Sequence, residues 1–184
     1  MANYAAEDVK KLREKTGSGM MDCKKALDET DGNFEAAVEL LRVKGAKDVG
    51  KREGRNASNG IVSGAVTNNS EGSFVEVNCE TDFVAKTEDF IALGDKVAKL
   101  ILQEKPKDVE ALMNLELDGK KVQQVLDEAN AHMGEKIEIK RFAQFSGGYV
   151  SLYLHKPDPS LPAGIGALVQ LASENEQVAK DLAQ

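Results

Sequence analysis

Between residues 73 and 79 apolar and polar positions alternate: Val75, Val77 and Cys79 share one face, and Glu76 and Asn78 the other. That period of two predicts a half-buried β-strand. From Thr87 the period lengthens to that of a helix. Phe90, Leu93, Val97 and Leu100 form an apolar stripe, Thr87 stands where an N-cap belongs, and Glu88 and Asp89 suit the positive N-terminal end. A helix is expected from about Thr87 to Gln103. Thr81 to Ala85 remain as a short link. It sets an acid, Asp82, beside a large aromatic, Phe83, where the chain must turn, so one of the pair is expected to point out of the fold.

The flanking patterns extend the picture in both directions. Residues 4 to 44 predict three short helices. Val9 and Leu12 mark the first and Gly17-Ser18-Gly19 breaks it; Met20, Cys23, Ala26 and Leu27 mark the second. Asp31-Gly32-Asn33 turns into a third, which carries Phe34, Ala37, Val38 and Leu41 and is expected to end before Gly45. Helices this short need one another, so a three-helix bundle follows, similar in pattern to the ubiquitin-associated type of module. A solvated linking helix is expected over Arg42 to Arg55. Ile61 to Thr67 and Ser73 to Cys79 then read as a hairpin around residues 68–72.

After the long helix come a helical piece near Asp108 to Met113 and a helix from about Lys120 to Met133, stopped by Gly134. Lys136 to Gln144 and Tyr149 to His155 read as a second antiparallel pair around Gly147-Gly148. A proline-rich loop, Lys156 to Pro162, precedes a strand over Ile165 to Leu171 and a last helix near Glu174 to Leu182. The expected class is α+β: an N-terminal helical bundle, then an antiparallel-sheet core with packed helices. The last helix is expected to be cut near its middle, leaving Val178, Ala179 and Leu182 little to pack against.

Charge marks a division at the same place. Residues 1–59 carry a net charge of +1 and residues 60–184 a net charge of −8, so a helical domain over 1–54 and an α+β core or dimerisation domain over 55–184 are expected. The overall charge of −7 argues against direct nucleic-acid binding, which needs a positive surface. The basic run of Arg42, Lys44, Lys47, Lys51, Arg52 and Arg55 carries no aromatic for base stacking and reads as a solvated face. Cys23 and Cys79 form no Cys-x-x-Cys pair, so buried thiols are expected rather than a disulfide or zinc site. Met1 to Lys11 lacks a signal pattern, and no apolar run approaches the roughly 20 residues that cross a bilayer. A cytoplasmic protein without membrane contact is expected.

Covalent chemistry finds few candidates. Gly45 to Arg52 nearly matches a phosphate-binding loop, but Arg52 stands where Ser or Thr would ligate magnesium, and a helix rather than a strand precedes it. His132 and His155 sit in no metal-spaced cluster. No catalytic residue, metal or cofactor is expected, and the chain reads as a binding protein.

Two long motifs identify its kind. Asn78-Cys79-Glu80-Thr81-Asp82-Phe83-Val84-Ala85 resembles one signature of the bacterial elongation factor Ts family, and the stretch from Leu12 through Thr16-Gly17-Ser18-Gly19-Met20-Met21-Asp22-Cys23 to Leu27 resembles the other. The resemblance runs along essentially the whole chain, which stops before the family's usual end. It implies a guanine-nucleotide exchange factor that binds elongation factor Tu in its GDP-bound and nucleotide-free states. Such a factor disturbs the magnesium and phosphate end of the nucleotide site and makes no covalent bond. The resemblance also implies Thr81, Asp82, Phe83 and Val84 as the intruding segment, and Met20, Met21, Lys24, Arg52, Met133, Gly134 and His155 as further contacts. The loop after His155, Lys156 to Ala163, departs from the shorter, more basic turn common in the family. A homodimer and a heterotetramer with the GTPase both stay open. So do two other readings: a plain interaction module without effect on nucleotide, and a nucleotide-binding enzyme using Gly45 to Lys51.

Overall fold

The computed structural model describes residues 3–184, and of residues 46–49 and 51 only the backbone; Met1 and the side chains of Lys47 and Lys51 in the basic run lie outside the described part. The chain divides into two compact units, Met1–Arg55 with Leu126–Lys136, and Asn56–Val125 with Ile137–Gln184. Its class is α+β, with helices first and antiparallel sheets after them.

The first unit contains α1 (Ala6–Thr16), α2 (Met20–Glu29) and α3 (Phe34–Arg52). Gly17 closes α1 in the left-handed region (φ 66°), and the Asn33 side chain caps α3 by accepting the Ala36 N–H at 3.0 Å. Leu12, Cys23, Ala26, Leu27, Ala37 and Leu41 form the core, with Tyr4, Val9, Phe34 and Val38 packed against it. Met20 is not among them. It is 50 % exposed, because the inward face of α2 is already filled by Cys23, Ala26 and Leu27.

The expected end of α3 before Gly45 is also corrected, since the helix runs on to Arg52. A Cβ at Gly45 would lie 2.8 Å from the Ala131 Cβ, so this glycine permits close approach of the later helix segment in the unit. Its helix-propensity cost of about 1 kcal/mol is offset by that packing. The stretch resembling a phosphate-binding loop therefore has helical backbone.

In the second unit, β1 (Asn59–Thr67), β2 (Glu71–Cys79) and β5 (Glu138–Ser146) make one antiparallel sheet in the order β1-β2-β5. The β1–β2 turn holds Asn68 and Asn69 at φ 50°. Helix α5 (Glu88–Glu104) packs on one face of β1 and β2. Ser73 Oγ donates to the Ala98 carbonyl at 2.6 Å, and a Cβ at Gly94 would stand 2.8 Å from Ser63 Oγ and 2.9 Å from Ile61 Cδ1. Phe90, Val97 and Ile101 are fully buried, as are Val75, Val77 and Cys79.

Two expectations fail here. Tyr149–His155 (β6) does not pair with β5; it pairs with β7 (Ile165–Leu171) in a separate two-stranded sheet. β5 takes β2 as partner, while the Gly147 and Val150 N–H groups donate to the carbonyls of Ser70 and Asn69 in the β1–β2 turn, at 2.8 and 2.6 Å. Gly148, at φ 65° and with the Leu171 carbonyl against its Cα, lets the chain cross between layers.

The second correction concerns β2, which is covered on both faces. Val150 and Leu168 lie at Gly72, and Leu152 lies at Gly64. Asn78, at the other end of the strand, is also buried rather than solvated, its amide donating to the Ala57 carbonyl at 3.1 Å.

The remaining elements are α4 (Asp82–Ala85), α6 (Val109–Met113), a small hairpin of β3 (Glu116–Leu117) and β4 (Lys120–Lys121), α7 (Val122–Met133) and α8 (Glu176–Ala183). Ala179 is the buried residue of α8, while Val178 and Leu182 are exposed. Because α5 approaches the sheet through Gly94, Gly94→Val should overpack this contact and lower stability by about 1–3 kcal/mol. Urea unfolding would measure it, with an unchanged midpoint contradicting the tight contact.

Candidate functional site

The signature segment lies where β2 hands over to α5. Thr81 leaves the strand extended and caps the four-residue α4, its Oγ1 accepting the Val84 N–H at 3.4 Å. Thr87 repeats the device for α5, accepting the Phe90 N–H at 3.4 Å. Ala85 is the inward residue of α4 and is buried, Val84 is half-buried, and Phe83 is 80 % exposed. Asp82 faces solvent as well, so the acid and the aromatic both point outward. Asp82 accepts from Lys86 Nζ at 2.6 Å; this hydrogen bond and the lysine charge hold its carboxyl below the usual aspartate range.

Within the same unit the structure brings His155 toward this segment. Asp82, Lys86, His155, Pro157, Leu161 and Ile165 all line one cavity of about 290 Å³. The exposed His155 ring has Nδ1 3.0 Å from Tyr153 Oη.

The other expected contacts belong to the helical unit. Met20 and Met21 are 50 % and 65 % exposed, and Lys24 is also exposed on α2. Arg52 is half-buried and donates through Nη1 to the Asn130 carbonyl at 3.0 Å, which ties α3 to α7. Met133 is half-buried at the end of α7, and Gly134 follows in the left-handed region at φ 73°.

Sequence reasoning missed two residues at the signature segment. Lys86 was legible, since it stands four residues after Asp82 on what proves to be a helical turn. Asn59 gave no periodic signal, yet its side-chain amide donates to the Glu80 carbonyl at 2.7 Å. Among the described residues no group of three His, Cys, Asp or Glu side chains could hold a metal ion. No described helix is long and apolar enough to cross a membrane.

The chain is thus an α+β protein whose most exposed large apolar side chain, among the described residues, stands on a capped turn. Comparison with known proteins gives this arrangement a family. The family model described as Elongation factor TS matches residues 80–184. Over the whole chain, elongation factor Ts of Streptomyces coelicolor is 56 % identical, that of Thermobifida fusca 52 % and that of Acidothermus cellulolyticus 50 %. The chain covers 67 %, 66 % and 66 % of those proteins, about two thirds of their length. The chain belongs to the elongation factor Ts family.

The Asp82–Lys86 pair makes a pH statement that can be checked. A depressed folded value means that the pair's contribution is present above the unfolded pKa of Asp82 and is lost as pH falls through the folded one. A carboxyl-carbon NMR titration should place the Asp82 midpoint below that of an ordinary aspartate. Lys86→Met should move it upward, and identical midpoints in the two proteins would remove the pairing.

Proposed function

We propose that the chain is a guanine-nucleotide exchange factor that associates with elongation factor Tu and promotes replacement of GDP by GTP in the cytoplasm. The observation that carries this reading is the exposure of Phe83. A free aromatic at the surface is the group a wedge requires, and its neighbour Asp82 supplies a negative charge beside it. Thr81 and Val84 complete the segment as cap and half-buried base.

An exchange factor must bind the nucleotide-free GTPase more tightly than the GDP-bound form. Linkage then requires that it weaken GDP by the same factor. Phe83 acts where small displacements cost most, against the groups around the magnesium ion and phosphates, while the Asp82 carboxylate competes for the magnesium surroundings. The protein forms and breaks no covalent bond and uses no cofactor. Met20, Met21, Lys24 and Arg52, all in the helical domain proposed over residues 1–54, make further contacts with the GTPase, as do Met133, Gly134 and His155 from residues 55–184.

Phe83→Ala tests the reading. Because the ring is exposed, melting should change by no more than about 0.5 kcal/mol in stability. GDP release from elongation factor Tu should slow by a factor of roughly 30, the consequence of losing an interface hot spot of at least about 2 kcal/mol. Measured on one preparation, unchanged stability with an unchanged release rate would overturn the mechanism. Binding without any acceleration by the wild-type chain would favour a plain interaction module.

A further inference from the structure

Phe83 is too exposed to be held by packing of its own, so its direction is set by the backbone that carries it. That backbone is a helix of four residues, closed at its start by the Ala85 N–H on the Thr81 carbonyl at 3.3 Å. One turn is too short to stabilise itself in water. The two carbonyls immediately before it, however, are each held by a side chain. Asn59 Nδ2 at the start of β1 donates to the Glu80 carbonyl at 2.7 Å, and the fully buried Cys79 thiol at the end of β2 donates to the Thr81 carbonyl at 3.1 Å. These carbonyls belong to consecutive peptide groups, and each bond fixes the plane of one of them. Two adjacent fixed planes leave the chain one entry angle into α4.

The donors are tied to the ladder. Asn59 stands opposite Cys79 in the antiparallel register, so both come from one cross-strand pair. The Cys79 side chain also shares the buried face of Val75 and Val77 beneath α5. The link is therefore clamped to the last rung of the β1–β2 ladder, and the clamped carbonyls lie three and two residues before Phe83.

We infer that Asn59 and Cys79 are positioning residues for Phe83, forming a two-point clamp on the Glu80 and Thr81 carbonyls that pre-orients the exposed ring. The consequence for exchange rests on the exchange reading; the clamp itself does not. Pre-orientation matters because a side chain that must be ordered during the encounter loses part of its binding energy to that ordering. Releasing either bond should leave the ring present and the surface chemistry unchanged, while lowering the rate of the step in which the ring intrudes.

Two readouts separate the clamp from the function built on it. The chain has no tryptophan, so Phe83→Trp gives a single indole at the tip of α4. In that background Asn59→Ala and Cys79→Ala should each lower the residual fluorescence anisotropy of the indole and add a faster decay component. Cys79→Ser, which restores an O–H donor, should keep the parent decay. In the chain with Phe83 intact, Asn59→Ala and Cys79→Ala should each slow GDP release at saturating factor by about five-fold, the worth of one neutral hydrogen bond. The half-saturating concentration should change less, and Cys79→Ser should retain the rate.

Melting curves accompany every variant. If Cys79→Ala proves too unstable to compare, Asn59→Ala decides, since Asn59 is exposed. Parent-like anisotropy in both alanine variants would overturn the clamp, as would Cys79→Ser behaving like Cys79→Ala. Lowered anisotropy with unchanged saturating rates, in a wild-type chain that does accelerate release, would overturn the positioning role. A wild-type chain that leaves GDP release unaltered would overturn the exchange reading instead, while the anisotropy would still decide the clamp.

Discussion

The second unit depends on the closeness with which α5 lies on β1 and β2. Gly94 has no side chain where one would collide with Ser63 and Ile61, and Ser73 Oγ reaches up to the Ala98 carbonyl at 2.6 Å. With Phe90, Val97 and Ile101 buried on one side and Val75, Val77 and Cys79 on the other, strand and helix form one solid block. Burial of side chains such as these is worth roughly 1.5–3 kcal/mol each, so neither element can shift without losing several such terms. The end of β2 and the start of α5 are thereby fixed in space.

The signature segment is what remains to join those two fixed points. Seven residues, Glu80 to Lys86, must turn the chain from strand to helix, and they do so with one capped turn whose only buried side chain is Ala85. So short a path leaves no room for a second inward side chain. Phe83 is exposed because the turn is anchored elsewhere, by Ala85 below, the Thr81 and Thr87 caps at its ends and the Asn59 and Cys79 donors on its entering carbonyls. Local rigidity and exposure of a large apolar ring thus have one cause, and together they are what an intruding group requires.

Most of this was legible in the residues. The alternation through Val75, Val77 and Cys79, the stripe from Phe90 to Leu100, the turn at Asp31-Gly32-Asn33 and the cap at Thr87 all report local rules, and the structure obeys them. What escaped were consequences of tertiary contact. Gly45 carries the propensity of a helix end, yet Ala131 packs against it and α3 continues. Gly147-Gly148 has the chemistry of a hairpin turn, but β2 claims β5, and β6 is left to β7. Asn78 looks solvated by period two and is buried against the segment that enters β1, where the Ala57 carbonyl accepts from its amide. Asp118-Gly119, with both residues at positive φ, turns the small β3–β4 hairpin, a strong local signal in the sequence. Within the signature segment the sequence placed Asp82 and Phe83 together, but it could not say that Ala85, rather than either of them, faces inward.

A capped turn presenting Phe83, held by the strand–helix block beneath it, accounts for exchange only if the presented surface fits one state of the GTPase better than another. The measurement that bears most directly on this is the affinity of the 184-residue chain for elongation factor Tu with and without bound GDP, taken by calorimetry under one buffer condition. The account predicts tighter binding to the nucleotide-free form, by the same factor by which the chain weakens GDP. Equal affinity for the two forms would contradict it, since a ligand that binds both states alike shifts neither.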